Sequence, residues 1–112
     1  MKKNTARNGV AHTISVDIRG VVYREGPWYI AHALELDLPA EGNTPDAAIR
    51  AAIDLCAFQV AEAIKDGDLR SIFRPAPPEL WELFARAVPR SSPSAARGSR
   101  MQIAFRELAP AA

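Results

Sequence analysis

Cysteine occurs once in these 112 residues, so no intramolecular disulfide can form and the fold must rest on its apolar core. The lone thiol, Cys56, falls inside an apolar helical pattern. That predicts a small core residue rather than a nucleophile, and it suits a reducing cytoplasm. No run of about 18 apolar residues is present, so the sequence offers no transmembrane helix. Met1-Lys2-Lys3 is followed by Asn4, Thr5, Arg7 and Asn8 instead of an apolar stretch, so it does not read as a signal peptide. Gly20, Gly26 and Gly42 stand singly, which excludes a phosphate-cradling glycine loop. His12 and His32 have no second ligand at metal-binding spacing, and Ser91, Ser92 and Ser94 lie in low-complexity sequence with no base nearby. The sequence therefore predicts no catalytic set, no metal site and no cofactor.

An excess of charge of either sign is lacking, with a formal balance of +1, but the charges are unevenly placed. Residues 1–69 carry seven basic and ten acidic side chains, whereas 70–112 carry seven arginines against Glu79, Glu82 and Glu107. An acidic front and an arginine-rich tail leave two readings of the tail, a solvated surface or a nucleic-acid contact through Arg86, Arg90, Arg97 and Arg100.

The patterning is that of one small α+β domain. Residues 1–11 are polar and are expected to be a flexible N-terminus. From Thr13 to Arg24, Ile14, Val16, Ile18 and Val22 alternate with Ser15, Asp17, Arg19 and Tyr23, which predicts a strand with one buried face. Arg24-Glu25-Gly26-Pro27 supplies a turn, and Trp28, Ile30, His32, Leu34 and Leu36 then share a second strand's apolar face. Pro39 restricts residues 38–42 to an edge strand. Thr44 as cap, Pro45 at the first helical position and Asp46 at the positive end of the dipole start a helix. Ile49, Ala52, Ile53, Cys56, Val60, Ala63 and Ile64 continue it at three- and four-residue spacing until Gly67. A short amphipathic helix is predicted over 79–88 around Leu80, Leu83 and Phe84, with Trp81 off that stripe. Residues 89–100 read as a Ser/Pro/Arg-rich linker. Met101, Ile103 and Phe105 then alternate as a C-terminal strand over 101–108. That strand needs a sheet edge, in its own subunit or exchanged into a neighbour, and so it marks an oligomer-interface candidate.

His32 alternates with apolar residues, which favours packing or an interface over catalysis. Asp17, Glu35, Asp37 and Asp54 are the only acids that a nuclease reading could gather around magnesium, and their positions are those of a solvated strand face and helix flank. Trp28, Tyr29 and Trp81 are the aromatic candidates for a partner interface, with His32, Glu35 and Asp37 beside them.

The run Trp28-Tyr29-Ile30-Ala31, Glu35-Leu36-Asp37-Leu38, Glu41-Gly42-x-Thr44-Pro45-Asp46-x-Ala48 resembles the HicB-like antitoxin domains in order and spacing over about residues 16–64. The Gly-x-Thr-Pro turn into the helix is its most specific part. The resemblance implies a three-stranded antiparallel sheet covered by one long helix, followed here by a short helix and a further strand (β-β-β-α-α-β). It also implies an incomplete RNase H-like fold without nuclease activity, homo-oligomeric assembly, and neutralisation of a small ribonuclease toxin. Leu34 departs from the proline common at its position, and with 79–88 as the one late helix expected in these residues, no helix-turn-helix or ribbon-helix-helix is expected within them.

Overall fold

The structure is a computed structural model that describes residues 15–90 and 101–109. The expectations for residues 1–11, for most of the 89–100 linker, and for Arg97 and Arg100 lie outside the described residues.

β1 (Val16–Glu25) and β2 (Trp28–Ala33) form the expected hairpin, closed by Gly26-Pro27, with Gly26 at a positive φ of 61° that suits a tight two-residue turn. β3 (Leu38–Gly42) pairs antiparallel with β2 and lies at the sheet's edge, where Pro39 is tolerated. Thr44 caps α1 (Pro45–Lys65), its Oγ1 accepting from the Ala47 N–H at 3.1 Å. The helix ends at Gly67, whose φ is +70°. The N–H of Gly67 bonds the Ile64 carbonyl and that of Asp68 bonds the Ala63 carbonyl, which satisfies two otherwise orphaned acceptors. Gly42 is where strand meets helix: a Cβ there would lie 2.5 Å from the Ala48 backbone nitrogen.

The sheet departs from the expected three antiparallel strands. Two further strands, β4 (Val88–Pro89) and β5 (Met101–Glu107), make it a mixed five-stranded sheet in the order β3-β2-β1-β5-β4. β5 (Met101–Glu107) runs parallel to β1, from Val16 opposite Met101 to Val22 opposite Glu107. A parallel neighbour cannot be joined by a tight hairpin, and here the chain passes through β2, β3 and α1 before a strand returns to the free edge of β1. Met101 and Phe105 are buried in the core shared with α1, and Ile103 packs against it. Of the two edges open to this strand on sequence grounds, the structure has it on β1 of its own chain. Gly20 accommodates that neighbour, since a Cβ there would lie 2.4 Å from the Phe105 ring.

α2 (Pro78–Arg86) is shorter than predicted, because Ala87 is already extended and Val88–Pro89 forms β4 against β5. It packs on the face of the sheet opposite α1, over Val21, Leu34, Ala76 and Ala87, with Tyr23, Leu80, Trp81, Leu83, Phe84 and Leu108 partly buried around them. The centre of β1 is therefore buried on both faces.

The faces of β2 also differ from the sequence reading. Ala31 and Ala33, with Tyr29 beside them, face α1, whereas Trp28, Ile30 and His32 share the other side with Val21 and Tyr23. Small side chains let the helix approach closely, as do Ala48, Ala52 and Cys56 on α1 itself. The two helices differ in reach. At about 1.5 Å per residue the 21 residues of α1 span about 31 Å, comparable with the 10 residues of β1 at about 3.3 Å each. The nine residues of α2 span only about 13 Å, so the second face is covered in part.

Candidate functional site

The second face of the sheet holds Trp28, His32, Glu35 and Trp81 of the predicted partner-interface residues. Near its middle the β1–β2 ladder changes partner. The Leu34 N–H bonds the Arg19 carbonyl at 2.8 Å, but the reciprocal bond is absent: the Arg19 N–H donates to Glu35 Oε1 at 2.7 Å. A side-chain carboxylate thus stands in for the Leu34 carbonyl. That carbonyl is released to accept from the Ala76 N–H at 2.8 Å, and the Glu35 carbonyl accepts from the Arg74 N–H at 2.9 Å. The Arg19 Nε also donates to Glu35 Oε2 at 2.8 Å, and its guanidinium lies 4.8 Å from the Trp81 ring centroid. Trp81 in turn donates from Nε1 to the Ala76 carbonyl at 3.1 Å. Glu35 and Trp81, both named as partner-interface candidates, make contacts within the chain that join α2 to the sheet through Arg19 and Ala76.

His32 and Asp37 form a second local pair, with Nε2 and Oδ1 2.7 Å apart. Asp37 sits in the turn after β2 at a φ of +52°, a conformation that aspartate tolerates better than most residues. With Asp37 ionised, Nε2 is the donor, which leaves Nδ1 of a neutral ring as an acceptor. That atom is buried and has no hydrogen-bond partner among the described residues. The histidine itself is only 7% exposed, as a packing residue would be.

The acids do not converge. Asp17 lines an open depression of about 440 Å³ with Arg19, Glu35, Gln102 and Ala104, but both Glu35 oxygens are engaged by Arg19 and Asp37 is bonded to His32. Asp54 is exposed on α1, across the sheet from Asp17. Among the described residues, no group of three or more His, Cys, Asp or Glu is placed to hold a metal ion. Burial pushes the Cys56 thiol up to about 12, so it is a protonated core group at neutral pH.

At the hairpin end of this face the surface is open. Trp28 is 44% exposed, opposite the exposed Glu25 on β1. Ile30 lies between Tyr23 and Glu41 in the adjoining row, and Glu41 is exposed. Burial, with a smaller contribution from the Glu25 charge, raises the Tyr23 hydroxyl above its ordinary value. The neighbouring base, Arg24, belongs to the opposite face, over the Tyr29 ring at 5.2 Å, with its Nε donating to the Gly26 carbonyl. Tyr29 packs against the α1 core.

The arginines are divided. Arg90 bonds Glu107 through Nη1 and Asp46 through Nη2, tying β4 to β5 and to the first turn of α1. Those bonds, chiefly the one to Glu107, raise its guanidinium above its ordinary range. Arg106 donates to the Phe84 carbonyl at 3.0 Å and lies over that ring. Arg86 is exposed at the end of α2. Arg19 and Arg106 were not singled out in sequence, and the Arg90 pairing was not foreseen. No local signal marks such pairs, since their partners lie 16, 22 and 44 residues away.

No described helix is long and apolar enough to cross a membrane. No protein-family profile, curated protein or solved structure matches the chain.

Proposed function

We propose that the chain is a non-enzymatic, HicB-like protein-interaction domain, acting by binding as an antitoxin neutralises a small ribonuclease. The observation that carries the reading is the unequal covering of the sheet: α1 spans one face, while α2 covers only part of the other and leaves Trp28 in water. Two of the four acids that a nuclease would recruit, Glu35 and Asp37, are used to hold the domain's own backbone and His32. Homo-oligomeric assembly and a cytoplasmic location, where Cys56 stays reduced, belong to the same reading. The arginine-tail alternative has less support, because Arg90 is committed to Asp46 and Glu107.

Co-expression with the product of a neighbouring small reading frame encoding a basic ribonuclease tests the proposal. The expected result is relief of growth arrest and co-elution of the two proteins as one species. The purified chain alone should not cleave RNA or DNA with magnesium. Robust turnover that disappears in Asp17→Ala overturns the reading.

A further inference from the structure

The hairpin corner of the second sheet face combines three properties. It presents a large aromatic ring to solvent, its exposed charges are all acidic, and neither helix reaches it. Trp28 stands opposite Glu25 across the hairpin, and Ile30 beside it stands opposite Glu41 on β3. Neither glutamate has an ion-pair partner among the described residues, since the salt bridges there join Arg19 with Glu35, His32 with Asp37, and Arg90 with Asp46 and Glu107. Arg24, the base that could neutralise Glu25, is on the other face with Tyr29.

We propose that the Trp28–Glu25–Glu41 corner docks a basic protein segment, a partner arginine or lysine lying over the indole with its charge held by the glutamates. A cation over an indole is attracted by the ring's negative face, and a carboxylate beside it adds a charge-assisted hydrogen bond. Indole surface that water now covers is the kind that anchors protein interfaces. Two other occupants are disfavoured by the same residues. Phosphate backbones would be repelled by Glu25 and Glu41. Pairing of a strand onto β3 meets Pro39, the second residue of that edge, where a backbone donor is missing.

This inference rests on the interaction-domain reading and names the chemistry of its partner. Its test uses the full chain and a fluorescein-labelled nine-arginine peptide, followed by anisotropy, with a nine-glutamate peptide as control. The arginine peptide should bind and weaken as salt rises, and the glutamate peptide should not bind. Trp28→Ala, Glu25→Lys and Glu41→Lys should each weaken binding by up to about tenfold, whereas Asp54→Lys on the outside of α1 should leave it unchanged. Far-UV circular dichroism checks that each variant is folded. An equal loss in Asp54→Lys would mean diffuse attraction and overturn the site. So would full binding by Trp28→Ala, absence of binding, or light scattering in which Trp28→Ala dissolves a dimer, which would make the occupant a second copy. Neutralisation of a toxin by the Trp28 and Glu25 variants would remove this corner and leave the function standing. Peptide capture at the corner without any neutralised toxin would do the reverse.

Discussion

Replacing Glu35 tests the account of how the second face is held together. Its carboxylate does two separable things: it accepts the Arg19 backbone N–H in place of the Leu34 carbonyl, and it pairs with the Arg19 guanidinium. A charged acceptor on a backbone N–H contributes about 1.5–3 kcal/mol. The ion pair has one partner 55% exposed and the other 18%, so solvent screening limits it to about 0.5 kcal/mol. Glu35→Ala loses both and should cost about 2 kcal/mol, the lower part of the summed range, because water can reach the site. Glu35→Gln keeps an oxygen for the N–H but loses the charge, and should cost about 1 kcal/mol. Arg19→Ala keeps the backbone bond and loses the ion pair and the contact with Trp81, and should cost about 0.5–1 kcal/mol. Urea unfolding followed by circular dichroism gives the order directly, with each kcal/mol moving the thermal midpoint by roughly 5 °C. An Arg19→Ala loss equal to that of Glu35→Ala would mean that the ion pair, and not the substituted ladder bond, is the joint. A loss near zero for Glu35→Ala would sink the account altogether.

Three further outcomes follow from single contacts. Thr44→Ala removes the cap bond to Ala47 and should cost about 1 kcal/mol in the same unfolding assay, with an unchanged value meaning that another group caps α1. Gly20→Ala forces a methyl into the Phe105 ring and should cost about 1–3 kcal/mol, part of which Phe105→Leu should restore in the double variant; simple additivity would place the strain elsewhere. Cys56 should resist thiol reagents at neutral pH until the chain unfolds. Its folded pKa of about 12 lies above the ordinary thiol value of 9.0, so the thiol's contribution to stability is intact below about pH 9 and fades as pH rises toward 12. Rapid labelling of the native protein would refute its burial.

The parts of this fold that sequence reading reached are those written in neighbouring residues. Thr44-Pro45-Asp46 marks a helix start because all three act within one turn, and Gly67 marks its end through a backbone conformation that favours glycine. Pro39 restricts β3 to an edge for an equally local reason. What could not be read is what depends on distant partners. Hydrophobicity ranks Trp28 and Ile30 above Ala31 and Ala33, so the larger residues were assigned to the covered face. Close packing under α1 needs the smaller ones.

The same cause hid the joint and exposed the corner. Asp17, Arg19 and Tyr23 read as a solvated strand face; Asp17 and Arg19 are exposed as expected, whereas Val21 and Tyr23 on the same face are covered wholly or in part. The cover is α2, and its attachment depends on Glu35 diverting a ladder bond so that Leu34 can hold Ala76. Placing α2 there fixes what it reaches: Tyr23 lies at the border of its apolar cluster, while Trp28, near the end of the hairpin, remains outside it. Lengthening α2 would require the residues that now form β4, and β4 carries Arg90 into its contacts with Glu107 and Asp46. The short helix and β4 are therefore one choice, since a helix continued past Arg86 would lose the strand that ties β5 to the start of α1.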